Sequence, residues 1–263
     1  MEINLKSIVE NRIILDKDET WPNELKLLFT KNKEIIKNYL FEDVYIHEGM
    51  RRYEHLHNKY QNEFIDILNA SLSILKDKKL IAFHISRLHN KEINYIKANG
   101  LLPTNEELYK TKLDFLIEEN LINEDEYKIL STQSLINDEI RKNKIYCFLT
   151  TNTFNNNSYG DLGDAWGGEV IYRSIDVYEN IKKIKSIGEK CIVICEINDN
   201  EITDKFLSTT DGIIMSMMKV FLNIQLYEDI QPKIADKDII FDHKIDVLEV
   251  FKINENDKIV YKV

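Results

Sequence analysis

The order of the predicted elements constrains the fold of this chain more than any other feature of its sequence. Before Lys79, apolar residues recur at the three- and four-residue spacing of amphipathic helices. After Lys144, short apolar segments of strand character follow one another: KIYCFLT, GEVIYR, KCIVICEI, KDIIFD, VLEVFKI and DKIVYKV. An apolar helix at about residues 207–225 interrupts them. Helices followed mostly by strands predict an α+β fold rather than a doubly wound sheet.

The segment that starts at Lys79 joins these two parts. LIAFHI is a compact apolar strand, and NKEINYIKANG after it has the pattern of a helix. Gly100 stands at the end of that helix, where a left-handed cap favours glycine. We therefore expect an N-terminal helical subdomain over residues 1–78 and a sheet-containing domain over residues 79–263.

Charge and hydropathy narrow the class of protein. The chain of 263 residues carries 35 basic and 45 acidic side chains, which gives a net charge of −10. Because phosphate neutralisation dominates non-specific nucleic-acid binding, this balance argues against a general nucleic-acid coat, while a local basic groove stays open. The first residues carry frequent charges, unlike a signal peptide, and no uncharged apolar run approaches the ~20 residues that span a bilayer. We expect a cytoplasmic protein without a membrane partner.

Cysteine usage indicates neither a disulfide framework nor a metal site. Cys147, Cys191 and Cys195 lie in apolar, strand-like segments, where small buried hydrophobes are the expected role. No cluster of cysteine and histidine has zinc spacing. We therefore expect any ligand to bind without a metal ion.

Two short segments carry the residues best suited to chemistry. The first is Ala82-Phe83-His84-Ile85-Ser86-Arg87, followed by the helix and by Gly100-Leu101-Leu102-Pro103. The second is Lys144-Ile145-Tyr146-Cys147-Phe148-Leu149-Thr150, followed by a polar loop and Trp166-Gly167-Gly168-Glu169. A single histidine or tyrosine in a strand is more often structural than catalytic. The combination and its order are what point to function.

Together the two segments resemble the His-Tyr-Glu branch of the ADP-ribosyltransferases, which includes the poly(ADP-ribose) polymerases. In that branch the first motif is His-Gly-Ser-Arg, a helix and a Gly-Leu turn, and the second is Gly-Ile-Tyr-Phe. Here His84-Ile85-Ser86-Arg87 and Ile145-Tyr146-Cys147-Phe148 are similar, with one extra residue before the phenylalanine. The resemblance implies a split β-sheet core over residues 79–263, with NAD+ as co-substrate.

The resemblance also implies a role for each motif residue. His84 is expected to bind a ribose hydroxyl on the adenosine side, and the backbone of Ile85 is expected to bind the nicotinamide carboxamide. Ser86 and Arg87 position the dinucleotide, with Arg87 suited to its diphosphate. The ring of Tyr146 stacks on nicotinamide, and Tyr159, in the loop after the second strand, is the candidate for a second stacking ring.

The third family motif is where the sequence departs from the pattern. A glutamate normally starts a late strand and binds the 2′-hydroxyl of the nicotinamide ribose, whereas Asp238 stands at that place in Ala235-Asp236-Lys237-Asp238-Ile239-Ile240-Phe241. Aspartate has the same charge and one methylene less reach. Glu169 in the Gly-Gly-Glu element is the rival acid, because two glycines let backbone approach a ligand closely. The sequence leaves this choice open.

The expected function is transfer of ADP-ribose from NAD+ to a macromolecular acceptor, either nucleic acid or protein. Small members of this superfamily act as toxins or antiphage effectors, which implies an antitoxin or inhibitor as a further partner. Two alternatives remain within the enzyme class, an NAD+ glycohydrolase and an RNA phosphotransferase of the same fold. A third is a catalytically inactive module that binds NAD+ or ADP-ribose, since the motif glutamate is missing.

Overall fold

The computed structural model describes residues 2–42, 58–139, 141–151, 163–172, 182–198, 212–226, 238–253 and 260–262. The chain divides into two compact units. The first, here the sheet unit, comprises Met1–Ile8, Ile81–Ile197 and Asp236–Lys262. The second, here the helical unit, comprises Val9–Leu80, Asn198–Ala235 and Val263. The fold is therefore of mixed α+β class, as the order of elements predicts.

The strands of the structure are these, in chain order: β1 (Glu2–Asn4), β2 (Arg12–Ile13), β3 (Lys79–Leu88), β4 (Ile145–Phe148), β5 (Glu189–Ile197), β6 (Asp238–Phe241), β7 (Asp246–Lys252) and β8 (Val260–Lys262). The main sheet has the order β6-β4-β3-β5-β7, and β2 pairs in parallel with the first two residues of β3. β4 is antiparallel to both β3 and β6, and β5 is antiparallel to β7. β1 and β8 form a separate parallel pair.

β5 forms the most buried part of the main sheet. Every residue from Lys190 to Ile197 is buried. Both of its cysteines, Cys191 and Cys195, are buried free thiols, and Cys147 in β4 is another. The expectation that the cysteines act as small core residues is confirmed.

The helices of the sheet unit are α4 (Asn90–Asn99), α5 (Glu106–Glu118), α6 (Glu124–Gln133) and the short α7 (Glu169–Tyr172). Gly100 follows α4 with a left-handed φ of 81°. A β-carbon there would lie 2.7 Å from the carbonyl oxygen of Ile245. Leu101 next to it exchanges two backbone hydrogen bonds of 2.9 Å with Ile245. The glycine thus lets the chain leave α4 directly against the strand β7.

One predicted strand is wrong. GEVIYR forms α7 instead, because the two glycines before it adopt left-handed φ angles of 83° and 58° and turn the chain. The N–H of Ile171 then bonds back to the carbonyl of Gly168. The apolar segment therefore forms a helical turn rather than a strand, and its Ile171 is fully buried.

The helical unit contains α1 (Asn23–Lys31), α2 (Lys33–Glu42), α3 (Gln61–Leu75) and α8 (Ile213–Leu226). The Phe29 ring of α1 packs edge-on against Phe221 of α8 at 5.6 Å, and against Trp21 at 6.2 Å. The predicted helix at 207–225 thus exists as α8, and it packs on the N-terminal helices. The compact units therefore differ from a simple split at residue 78, because α8 joins the helical unit and β1 joins the sheet unit by pairing with β8.

Within the part of the chain that the structure describes, no helix is both long and apolar enough to cross a membrane.

Candidate functional site

A cavity of about 150 Å³ lies in the sheet unit along the second half of β3 and the first half of β4. Its lining includes His84, Ile85, Ser86 and Arg87 from the first motif and Tyr146 from the second. Other parts of its wall come from α4, α5 and the turn Trp166–Gly168, from the segment after α4 and from Arg141 and Lys144 before β4. The two segments that carry the sequence motifs therefore meet at one cavity.

The pairing of β3 with β4 explains how the cavity opens between them. Among the described residues, Phe83 and Phe148 are the pair that joins the two strands. Strict alternation from that pair would assign His84 and Tyr146 to opposite faces of the sheet. Beyond the pair, however, the imidazole of His84 spans the strands, with Nδ1 2.8 Å from the carbonyl oxygen of Tyr146. Both residues are among those that line the cavity.

The hydrogen bond of His84 fixes its tautomer. A carbonyl oxygen can only accept, so Nδ1 carries the proton and donates it to Tyr146. Burial lowers the pKa of His84 below its usual value of 6.5, the bond to Tyr146 opposes that shift, and the charge of Lys112 adds to it. The ring is neutral at neutral pH, and its Nε2 is a hydrogen-bond acceptor.

Asp238 is the first residue of β6, and its backbone lies opposite Phe148 in the ladder with β4. Two residues further along β6, Ile240 pairs with Tyr146. By the two-residue period of a strand, position 238 belongs to the same row of the sheet as Phe83 and Phe148. Position 238 therefore lies on the strand next to β4, and β4 alone separates it from β3.

Glu169 begins α7, directly after two glycines that line the cavity. Val170 lines the cavity as well. A β-carbon on Gly167 would lie 2.5 Å from Cγ1 of Ile171, so glycine is needed for this close turn. Tyr159, the candidate second stacking ring, lies outside the described residues, as do the side chains of Glu169 and Asp238.

The cavity wall contains a buried carboxylate that the sequence motifs do not include. Glu92 in the first turn of α4 is 8% exposed. Its Oε2 accepts from the indole Nε1 of Trp166 at 2.8 Å and from the backbone N–H of His89 at 3.0 Å. Its Oε1 lies 3.2 Å from Nζ of Lys112 on α5. The local signal was present, because a glutamate three residues after a helix N-cap typifies a capping box.

Lys112 belongs to no motif, although its place three residues after Tyr109 and four before Leu116 puts it on the buried face of α5. In the structure it lines the cavity with Arg87, Arg141 and Lys144. Among the described lining residues, Glu92 is the one acidic side chain beside these four cations. The charged groups that line the cavity of this acidic protein are thus mainly positive, which suits an anionic ligand.

The described residues contain no group of three or more histidine, cysteine, aspartate or glutamate side chains that could hold a metal ion.

Comparison with protein-family models, with curated proteins and with solved structures finds no match for this chain.

Proposed function

We propose that this protein is an ADP-ribosyltransferase that splits NAD+ and passes ADP-ribose to a macromolecule, on a sheet of the ADP-ribosyltransferase type. The observation that carries the proposal is the neighbourhood of the three motif strands. β3 with His84, β4 with Tyr146 and β6 with Asp238 are consecutive in the sheet, although 62 residues separate the first two motif residues. Motifs so far apart are functional together only if they converge.

The protonation state of His84 supports a ribose contact. The neutral ring donates from Nδ1 to Tyr146 and keeps Nε2 as an acceptor. A ribose hydroxyl is a hydrogen-bond donor of matching chemistry. His84 therefore binds the sugar while its own orientation is fixed by a backbone carbonyl.

The size of the cavity supports a ring-binding role. At about 150 Å³ it is smaller than the ~300–1000 Å³ typical of sites for whole drug-sized ligands. It suits one aromatic ring with its amide, which is the nicotinamide end of NAD+. Tyr146 supplies the stacking face there, and the backbone of Ile85 is the partner of the carboxamide.

The chemistry requires charge near the developing cation. As the bond to nicotinamide breaks, the ring leaves with the bonding electrons and the ribose gains oxocarbenium character. The acceptor then forms a bond to the same ribose carbon and loses a proton. A carboxylate near the ribose stabilises this state, and Asp238 is our first choice because its strand lies next to that of Tyr146.

Two single substitutions decide between the candidate acids. Asp238→Ala is expected to lower turnover by ~10²-fold or more with NAD+ binding largely retained, because the charge matters most in the transition state. Glu169→Ala is the matched comparison. Rates and dissociation constants are measured for both variants. A near-normal Asp238→Ala protein beside an inactive Glu169→Ala protein identifies Glu169 as the acid.

The function itself is tested by incubation with NAD+ labelled in its adenylate part, together with separate pools of DNA, RNA and protein. Label on one pool supports the transferase and identifies its acceptor. Free ADP-ribose alone indicates a glycohydrolase, and transfer of a phosphate from RNA indicates the phosphotransferase. Binding without turnover indicates the inactive module, which the aspartate at position 238 favours among the alternatives.

The biological setting follows from the same proposal. As a toxin or antiphage effector, the enzyme modifies nucleic acid or protein in the cytoplasm and is held in check by an antitoxin or inhibitor. Co-expression tests this, because a neighbouring gene product that restores growth without changing the level of the protein is such a partner.

A further inference from the structure

The positive charges of the cavity differ in how far they are already neutralised. Arg141 lies 3.3 Å from the carboxylate of Asp138, so its charge is offset. Lys144 donates to the backbone carbonyl of Glu139 at 2.9 Å. Arg87 reaches the carbonyl of Gly163 at 3.5 Å, and its buried Nε has no hydrogen-bond partner among the described residues. A carbonyl carries no net charge, so these contacts leave the charges of Lys144 and Arg87 without an acidic partner in the part of the chain that the structure describes.

Lys112 extends this positive lining from α5. Its ammonium has three donors, and Glu92 is the partner that the described residues give it. Glu92 in turn is held by Trp166 and by the backbone of His89. The ammonium is therefore fixed in position near His84, with donors left for a ligand.

A second cavity adjoins the first at this lysine. It measures about 410 Å³ and lies between α4 and α5, and it shares five lining residues with the smaller cavity: Glu92, Ile96, Leu101, Leu102 and Lys112. Lys112 thus stands where the two spaces meet. A ligand that occupied both cavities would therefore place its middle part next to the ammonium group of Lys112.

We propose that Lys112, Lys144 and Arg87 form a phosphate-binding site on the wall of these two adjoining cavities, beyond the space assigned to the nicotinamide ring, with Glu92 as the residue that positions Lys112. The inference rests on the proposed function only for the identity of the ligand, which is the diphosphate of NAD+ or ADP-ribose. The chemistry is that of a nucleoside diphosphate, whose negative phosphates meet Lys144 and Arg87, which have no acidic partner among the described residues, and Lys112, which is paired with Glu92.

Calorimetric titration of the full chain with ADP-ribose, ADP and adenosine tests the site without any turnover. Lys112→Met keeps the aliphatic stem and removes the charge, as does Lys144→Met. Each is expected to weaken ADP-ribose and ADP binding about 10-fold or more, because contacts with a charged donor contribute strongly. Adenosine, which lacks phosphate, is expected to lose no affinity.

Each variant has a matched control of the same residue type two positions away. Lys110 on α5 and Lys142 before β4 are exposed, so Lys110→Met and Lys142→Met are expected to bind ADP-ribose as the unchanged protein does. Raising the salt concentration is expected to weaken ADP-ribose binding less in Lys112→Met than in the unchanged protein. Thermal melting of every variant confirms that it is folded, and Lys144→Met keeps the test valid if Lys112→Met is not.

The outcomes separate this site from the proposed function. If both inward variants bind ADP-ribose as their controls do, the phosphate site is refuted even where NAD+ turnover is observed. If the variants lose ADP-ribose affinity but the unchanged protein never splits NAD+, the phosphate site stands and the transferase does not. Binding of inorganic pyrophosphate with the same dependence on Lys112 would make the phosphates, rather than the adenosine, the recognised group.

Discussion

Replacement of Glu92 by alanine is expected to destabilise the sheet unit more than any exposed substitution. The carboxylate joins three segments, because it accepts from Trp166, from the backbone at the start of α4 and from Lys112 of α5. Alanine removes all three contacts at once. Trp166 is 1% exposed, so water does not easily replace the carboxylate at its indole N–H.

The expected size follows from these contacts. An unsatisfied buried donor costs ~1–3 kcal/mol, and the loss of a helix cap costs ~0.5–2 kcal/mol. The side chain of Lys112 is 26% exposed, so its ammonium regains water and contributes little. The free energy of unfolding is therefore expected to fall by ~1.5–5 kcal/mol, which lowers the melting temperature by roughly 3–10 °C for a chain of this size.

Two companion variants make the measurement decisive in thermal or urea denaturation. Glu119→Ala removes a carboxylate from the surface, where it pairs with Lys91, and is expected to leave the melting temperature nearly unchanged. Glu92→Gln keeps an oxygen that accepts from both Trp166 and the backbone of His89, so it is expected to retain most of the stability. If Glu92→Ala melts together with Glu119→Ala, the carboxylate does not hold the cavity wall and the reasoning is refuted.

Three further predictions concern individual residues. Because burial lowers the pKa of His84, the folded protein binds this proton only at a lower pH than the unfolded chain does, so the free energy of unfolding is expected to fall as the pH drops below 6.5. Denaturation measured across pH checks this. His84→Asn, which keeps a donor for Tyr146, should lose that part of the pH dependence. Gly100→Ala is expected to lower the free energy of unfolding by at least ~1–2 kcal/mol, because Gly100 has a left-handed φ and the new β-carbon would lie 2.7 Å from the carbonyl oxygen of Ile245. Ala98→Gly in α4 should lower it less, and equal losses would contradict the argument. Burial raises the pKa of Cys191 to about 11, and Cys147 and Cys195 are buried too, so a thiol reagent should modify none of the three until the chain unfolds; rapid labelling of the native protein would show that the core opens locally.

Those elements that carry a local signal could be predicted from the sequence. The apolar segments at β4, β5, β6, β7 and β8 alternate or are continuously apolar, as strands are, and each forms a strand over the described residues. Gly100 ends its helix as expected, because only glycine fits the backbone angle and the space there. A shared functional site for His84 and Tyr146 stays a prediction, although both residues line one cavity.

Features set by distant packing could not be predicted. α8 reads as an apolar helix, but nothing local indicates that Phe221 packs on Phe29 some 190 residues earlier. The segment GEVIYR has strand character, yet the turn at Gly167 and Gly168 makes it helical. Lys112 shares the apolar stripe of its helix with Tyr109 and Leu116, whereas Lys110 does not, but nothing in the sequence indicates that Glu92 is its partner.

Glu92 also links the stability of the fold to the chemistry of the cavity. Through its hydrogen bond with Trp166, it fixes the turn that carries Gly167 and Gly168. This turn lies beside the end of β3, where the backbones of Arg87 and Trp166 form an isolated β-bridge. By holding Lys112, it keeps a positive charge near the neutral ring of His84. These groups are ordered before a ligand arrives, so less conformational entropy is lost on binding. Substitutions at Glu92 should therefore lower stability and ligand affinity together, whereas those at Lys144, whose exposed contact is with a backbone carbonyl, should lower affinity alone.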